Sequence, residues 1–208
     1  MSQASNLNTA KTDASAGQTV LIIMGSTRAA RLCPKIALWI LAIAQASFGP
    51  FNYELVDLAD WPLPADDEPG IPALGVYAHA HTRAWSDKIN SAAGFVIVTP
   101  QYNWGYPAPL KNALDHLYKE WNGKPVAIIS YGGHGGGKCA VQLKQVADGL
   151  KMRPVPTMPG LTLTDDMIRG GSVDPEQDFK EHVGTIQQAL IELTAALNII
   201  TMPASAPE

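Results

Sequence analysis

The 208-residue sequence predicts an α/β fold, a parallel sheet covered by helices on both faces. Three observations predict it. Five short apolar runs alternate with five segments of helical character, over a length suited to one domain. Three of those runs are apolar almost throughout, as strands covered on both sides must be. Each of these three ends abruptly in a polar or glycine-rich turn before the next helix.

The first strand, Val20–Met24, breaks off at Gly25-Ser26-Thr27-Arg28, with Arg31 three positions on and a helix from Pro34 to about Ala46. A buried strand running through a polar turn into a helix N-terminus makes an anion site, because unpaired N–H groups and the helix dipole converge there. The hydroxyls of Ser26 and Thr27 and the guanidinium of Arg28 add donors suited to a phosphate. The turn matches neither G-x-G-x-x-G nor G-x-x-x-x-G-K-[ST]. The second strand, Tyr53–Leu58, carries Glu54 and Asp57, which suits an edge. The Pro-rich stretch Asp60–Pro72 follows as a rigid loop, and its four acidic residues are expected to be solvated. A helix over Tyr77–Ile89 puts His79 and His81 on different faces, so no shared metal is expected.

The third strand is Phe95–Thr99. The helix after it, Leu110–Trp121, has apolar Leu110, Ala113, Leu114, Leu117, Tyr118 and Trp121 at helical spacing. Pro109 marks its start; Gly123 and Pro125 mark its stop. The fourth strand is Val126–Ser130, and a weak fifth, Val155–Met158, contains Pro156 and belongs at an edge. Asp174-Pro175-Glu176 caps a last helix running to about Asn198. Central strands one, three and four flanked by two and five give the order 2-1-3-4-5. That is a flavodoxin-like three-layer sandwich of five parallel strands, with a switch point between strands one and three where flavin mononucleotide can bind.

Composition narrows the classes of partner. Hydrophobic residues make up 46% and charged residues 16%, which excludes a disordered chain. A net charge of −4 without a Lys/Arg cluster argues against nucleic acid or an anionic membrane. No apolar run approaches the roughly 20 residues of a membrane helix. Cys33 and Cys139 lack metal-ligand spacing and are expected to be small buried residues; no metal site is expected. Residues 1–17 and 201–208 are expected to be flexible tails on a single domain, 18–200, in the cytoplasm.

In this fold, ligands sit beyond the carboxyl ends of the central strands, so three loops should converge. The first is Gly25–Arg31. The second, Pro100-Gln101-Tyr102-Asn103-Trp104-Gly105-Tyr106-Pro107, holds three aromatics that would cover something flat, pack on themselves or meet a partner chain. Gln101 and Asn103 can donate and accept together, as the pyrimidine edge of a flavin requires. The third, Tyr131-Gly132-Gly133-His134-Gly135-Gly136-Gly137, has five glycines that let backbone N–H groups approach a ligand. His134 is a candidate donor or an ordinary surface residue. Gly132 to Cys139 falls one residue short of a nucleotide-binding P-loop: Cys139 lacks the hydroxyl that would hold magnesium, and Lys138 is expected to be solvated. No nucleophile elbow is present.

The segments GSTRAAR, TPQYNWGYPAPLKNALDHL and SYGGHGG resemble the NAD(P)H-dependent FMN reductase family, which includes flavin-containing quinone, azo-dye and chromate reductases. The resemblance spans Val20 to Leu150. It implies non-covalently bound FMN, NADPH or NADH as donor, and ping-pong hydride transfer to quinones, free flavin or similar small acceptors. It also implies a homodimer or homotetramer. By motif, Ser26, Thr27 and Arg28 would hold the FMN phosphate, with Arg31 a further candidate. Pro100, Gln101, Tyr102, Asn103 and Trp104 would line the ring; Tyr131, Gly132 and Gly133 would close over its pyrimidine side, with His134 beside them. Lys111 and Asn112 would hold the loop to the helix. The chain departs from the family where Gln101 replaces a common Glu, Trp104 a small residue and Arg31 a small polar one. No side chain is expected to act as acid or base, since the flavin carries the chemistry. Arg83, Arg153 and Arg169 stand equal as candidates for a nicotinamide nucleotide's 2′-phosphate. Residues 160–173 read as a mobile loop that could reach a neighbour's site. A flavodoxin-type electron carrier and a flavin-dependent redox-sensing interaction protein remain alternatives. Such carriers typically lack the arginine and are more acidic.

Overall fold

Strand β1 (Thr19–Met24) lies inside the sheet, paired in parallel with β2 (Asn52–Asp57) on one side and β3 (Ala92–Pro100) on the other. Next to β3 comes β4 (Pro125–Gly132), giving the order β2-β1-β3-β4-β5 that the sequence predicts. The computed structural model describes residues 17–47, 51–65 and 67–201, so the expected tails fall almost wholly outside it. Side chains alternate across the central strands and split the core into two layers. Val20, Ile22, Val96, Val98, Ala127 and Ile129 pack with α1 (Cys33–Ser47) and α7 (Val183–Thr201). Leu21, Ile23, Phe95, Ile97, Val126 and Ile128 pack on the other face with α2 (Ala80–Asn90), α3 (Ala108–Asp115) and α4 (Gly137–Gly149).

The structure corrects four expectations. The fifth strand is not 155–158 but two short pieces, β5 (Arg153–Pro154) and β6 (Gly160–Thr162), both paired with β4. Pro154, Pro156 and Pro159 remove ladder donors, and the sheet gains a sixth strand where pairing resumes. The helix expected over 110–121 ends at Asp115, and Lys119–Trp121 forms a 3-10 turn. Tyr118 leaves helical geometry at φ −138°, yet Leu117 and Trp121 are still fully buried, so the periodicity reported burial rather than an unbroken backbone. Asp174 does cap a helix, α6 (Pro175–Asp178), by accepting from Glu176 N, but Phe179 interrupts it to bury its ring against Trp39 before α7 begins. Residues 160–173 form a folded arm of β6 and α5 (Asp165–Ile168), with Thr164 accepting from Met167 N as its cap.

Cys33 and Cys139 are free and fully buried, as expected. Burial pushes both thiols up, Cys139 to about 11, against weaker lowering from hydrogen bonds. A raised thiol pKa contributes stability that is present below the unfolded value of about 8.5 and is lost as pH rises beyond it. At pH 8 the native protein should therefore react with a thiol-specific disulfide reagent roughly a hundredfold more slowly than free cysteine. Two thiols should titrate promptly after denaturation; rapid reaction of either one in the native state would contradict this burial.

Candidate functional site

The first loop leaves β1 close against its neighbours. Gly25 N donates to Val98 O at 2.9 Å, and a Cβ at Gly25 would come within 3.0 Å of Leu110 Cδ2. Ser26 is fully buried, its Oγ 2.8 Å from Tyr102 Oη. The Arg28 guanidinium stacks 3.6 Å above the centroid of the same Tyr102 ring. Arg31 Nη2 pairs with Asp57 Oδ2 at 2.5 Å, and Nη1 donates to Arg28 O. Its remaining donor, Nε, is buried and makes no hydrogen bond.

The second loop is a tight hairpin. Tyr102 N donates to Gly105 O at 2.8 Å and Gly105 N returns to Tyr102 O at 3.0 Å. Asn103 (φ 48°) and Trp104 (φ 71°) therefore occupy the left-handed region, which Asn tolerates and Trp does not favour. Gln101 fastens this loop to the third: its N donates to Tyr131 O at 2.8 Å, and its Oε1 accepts from Cys139 N at 3.1 Å. Asn112 donates to Leu63 O at 2.8 Å, so it holds α3 to the loop after β2. Lys111 pairs with Asp115 along α3.

In the third loop, Gly135 N donates to Gly132 O at 3.0 Å, and Ser130 Oγ donates to Gly135 O at 3.0 Å. Gly135 (φ 70°) and Gly136 (φ 75°) turn the chain into α4. Tyr131 is buried, and that burial holds its phenol far above the ordinary value, so it stays a neutral donor across the physiological range.

These loops enclose a cavity of about 450 Å³, within the usual range for a small-ligand site. Eight expected residues line it: Arg28, Arg31, Pro100, Gln101, Tyr102, Tyr131, Gly132 and Gly133. Ser26, Thr27 and Asn103 do not; Ser26 lies behind Tyr102. Trp104 and His134 fall instead on a separate hollow of about 370 Å³, with Gln101, Gly137 and Lys138. The hairpin turns Trp104 outward, 63% exposed, and Lys138 Nζ sits 2.9 Å from its ring centroid rather than in open solvent. One wall lies outside the three predicted loops: Leu163, Met167 and Ile168 of the folded arm form it, with Arg169 beside them. Thr164-Asp165-Asp166 was the available signal, a helix-capping pattern inside the presumed loop. Arg169 borders the cavity, whereas Arg153 is committed to Gly123 O and Ala196 O, and Arg83 to Tyr77 O and Ala78 O.

Residues 18–161 match the NADPH-dependent FMN reductases. The chain belongs to that family. It is 59% identical over 177 residues to an NAD(P)H-dependent FMN reductase of Schizosaccharomyces pombe, covering 84% of this chain and 88% of the relative. A quinone reductase of Escherichia coli is 33% identical over 188 residues, 85% of this chain and 92% of that protein. Among solved structures, the flavoenzyme NAD(P)H:(acceptor) oxidoreductase FerB of Paracoccus denitrificans superposes with a TM-score of 0.62 at 23% identity. That match covers 86% of this chain and 98% of FerB, and at this identity it speaks to the fold. The chain is thus an oxidoreductase working with FMN and a reduced nicotinamide nucleotide.

The third loop gives a test of its geometry. A Cβ at Gly136 would meet Ser130 Cβ at 2.7 Å in a left-handed backbone. Gly136→Ala should lower unfolding stability by about 2–4 kcal/mol, read as a lower urea midpoint at unchanged m-value; an unaffected midpoint would show that this turn has room to relax.

Proposed function

We propose that the cavity of about 450 Å³ holds FMN with its phosphate toward the 25–31 loop, and that the enzyme works in ping-pong order. NADPH or NADH donates first and leaves, and a quinone, free flavin or similar small acceptor takes the electrons second. The observation that carries this reading is the convergence of three loops on one cavity with cationic donors at the end where α1 begins.

The residues present suit the group. Arg28 and the N-terminus of the 15-residue helix α1 offer positive potential to a phosphate. Arg31 offers its orphaned Nε, while Asp57 orients it and offsets most of its charge, so Arg28 bears the larger share of attraction. Ser26, buried behind Tyr102, supports the loop through its bond to the Tyr102 hydroxyl. At the other end, the backbone of Gly132 and Gly133 can approach a flat ring closely, and Gln101 and Tyr131 border it. Leu163, Met167 and Ile168 form an apolar wall that excludes water from the same volume. Bound FMN supplies the chemistry, accepting hydride and passing electrons on. The side chains bind, orient and keep the site dry, and none is assigned as acid or base.

Arg169, exposed at the rim, is suited to the phosphates of the nicotinamide nucleotide. Ile71, Leu74, Val76 and Trp104 are exposed apolar side chains that support assembly as a homodimer or homotetramer. Among the described residues no helix is long and apolar enough to cross a membrane. A cytoplasmic location is part of the proposal, supported by two unpaired buried cysteines.

The direct test is an absorbance spectrum of purified protein, repeated without oxygen after NADPH is added. A bound-flavin spectrum that bleaches promptly is expected; flavin that stays oxidised would move the reading to an electron carrier, and failure to bind FMN would sink it. Arg28→Ala should weaken FMN binding roughly 10- to 100-fold, measured by flavin retained after gel filtration. Arg169→Ala should raise KM for NADPH roughly tenfold with flavin content intact; an unchanged KM would remove Arg169 from the donor site.

A further inference from the structure

We propose that Asp67, His81 and His116 form a zinc site that clips the long segment between β2 and α2 onto α2 and α3. One oxygen of Asp67 and one ring nitrogen from each histidine lie within 4.8 Å of one another. His81 Nε2 is 2.8 Å from Asp67 Oδ2, and His116 Nε2 is 3.7 Å from Asp67 Oδ1. His116 Nε2 and Asp67 Oδ1 are buried and make no hydrogen bond, and His81 Nε2, also buried, meets only Asp67 Oδ2.

His116 is the second, independent sign of a ligand. Its side chain is only 4% exposed, at the C-terminal end of α3. Nδ1 lies 2.8 Å from Asn112 O, and a carbonyl can only accept, so Nδ1 carries the proton. Nε2 is therefore the ring nitrogen left to face Asp67, 3.7 Å from its Oδ1. A carbonyl fixing one ring nitrogen so that the other can bind a metal is how ligating histidines are usually oriented.

The remaining geometry agrees. His79 stacks on His81 with ring centroids 5.3 Å apart and planes within 7°, and its Nε2 meets Asp67 O at 2.9 Å. The expectation of separate faces fails because His79 stands outside the helix, as the extended residue capping α2. Glu68 accepts from Ala78 N and His79 N, so the acidic loop is fastened where solvation was expected. Asp66 lies outside the described residues.

Two imidazoles and one carboxylate suit zinc, whose fourth position would take a water from the adjoining cavity of about 170 Å³. That cavity shares no lining residue with the proposed flavin cavity. The inference therefore stands apart from the proposed function, and its readouts are metal content and stability.

The experiment uses untagged, flavin-loaded protein stripped with a chelator and titrated with zinc, then with cobalt as a spectroscopic probe. Wild type should bind one zinc per chain, show visible cobalt bands of tetrahedral coordination, and gain of order 10 °C in Tm at saturating zinc. His81→Ala and Asp67→Asn should each weaken zinc binding roughly 100-fold and abolish the Tm gain. Flavin content and circular dichroism of the metal-free variants should match wild type, which separates lost ligation from lost folding. Zinc bound equally by wild type and the double variant, or no saturable binding by wild type, would overturn the proposal.

Discussion

The site depends on how closely β1 and β3 run together at their carboxyl ends. The bond from Gly25 N to Val98 O carries their pairing one residue past β1. Any Cβ at that point would press on Leu110 and on Thr99, whose Oγ1 would be 3.2 Å away. With glycine there, α3 can lie against the start of the first loop. The connections from β1 and β3 then diverge to opposite faces, α1 with one core layer and α3 with the other. A crevice opens between them because neither helix can cross the switch point.

What keeps the crevice shaped is Tyr102. It meets Ser26 with its hydroxyl, Arg28 with its ring face and Gly105 with its backbone, so one residue ties two loops together. The cost sits next door, where Asn103 and Trp104 adopt left-handed backbone at about 1–3 kcal/mol each. Such strain persists only where the surroundings hold it. Here the paired Tyr102–Gly105 bonds close the hairpin, Lys138 covers the Trp104 ring, and Gln101 anchors the loop base to the first turn of α4. Pre-setting the loop in this way removes part of the ordering cost from ligand binding.

The sequence made legible whatever burial alone decides. Strands β1, β3 and β4 are apolar on both faces and could be found as runs, and the edge position of β2 followed by contrast. Gly25, Gln101, Tyr102 and Gly132 could be read as loop positions because each lies at or just beyond the end of a central strand. Features set by long-range pairing were not legible. The wall of Met167, Ile168 and Arg169 exists because β6 regains pairing with β4 after three prolines, and no local pattern announces that register. The outward direction of Trp104 was not legible either, because the turn conformation that sets it is one that tryptophan rarely adopts.

The segment between β2 and α2 shows a different way of making order. Leu58, Trp61, Leu63 and Tyr77 pack against the core at its two ends, but in its middle Ile71, Leu74 and Val76 are exposed. It is fastened by directed bonds instead. Asn112 reaches Leu63 O, Lys119 reaches Leu74 O, Tyr77 Oη donates to Glu120 Oε2, and Glu68 takes two backbone N–H groups. Glu120 is itself buried and satisfied by Ser86, Tyr77 and Tyr118 N, so this framework is rigid at its far end. At Asp67 the network stops short: Asp67 Oδ1 and His116 Nε2 are buried without a hydrogen bond, and His81 Nε2 meets only Asp67 Oδ2. Segments held by directed bonds open locally more readily than segments held by core burial. Completing the coordination at that one place therefore has leverage over the whole segment, since it joins the loop to two helices that the core already fixes.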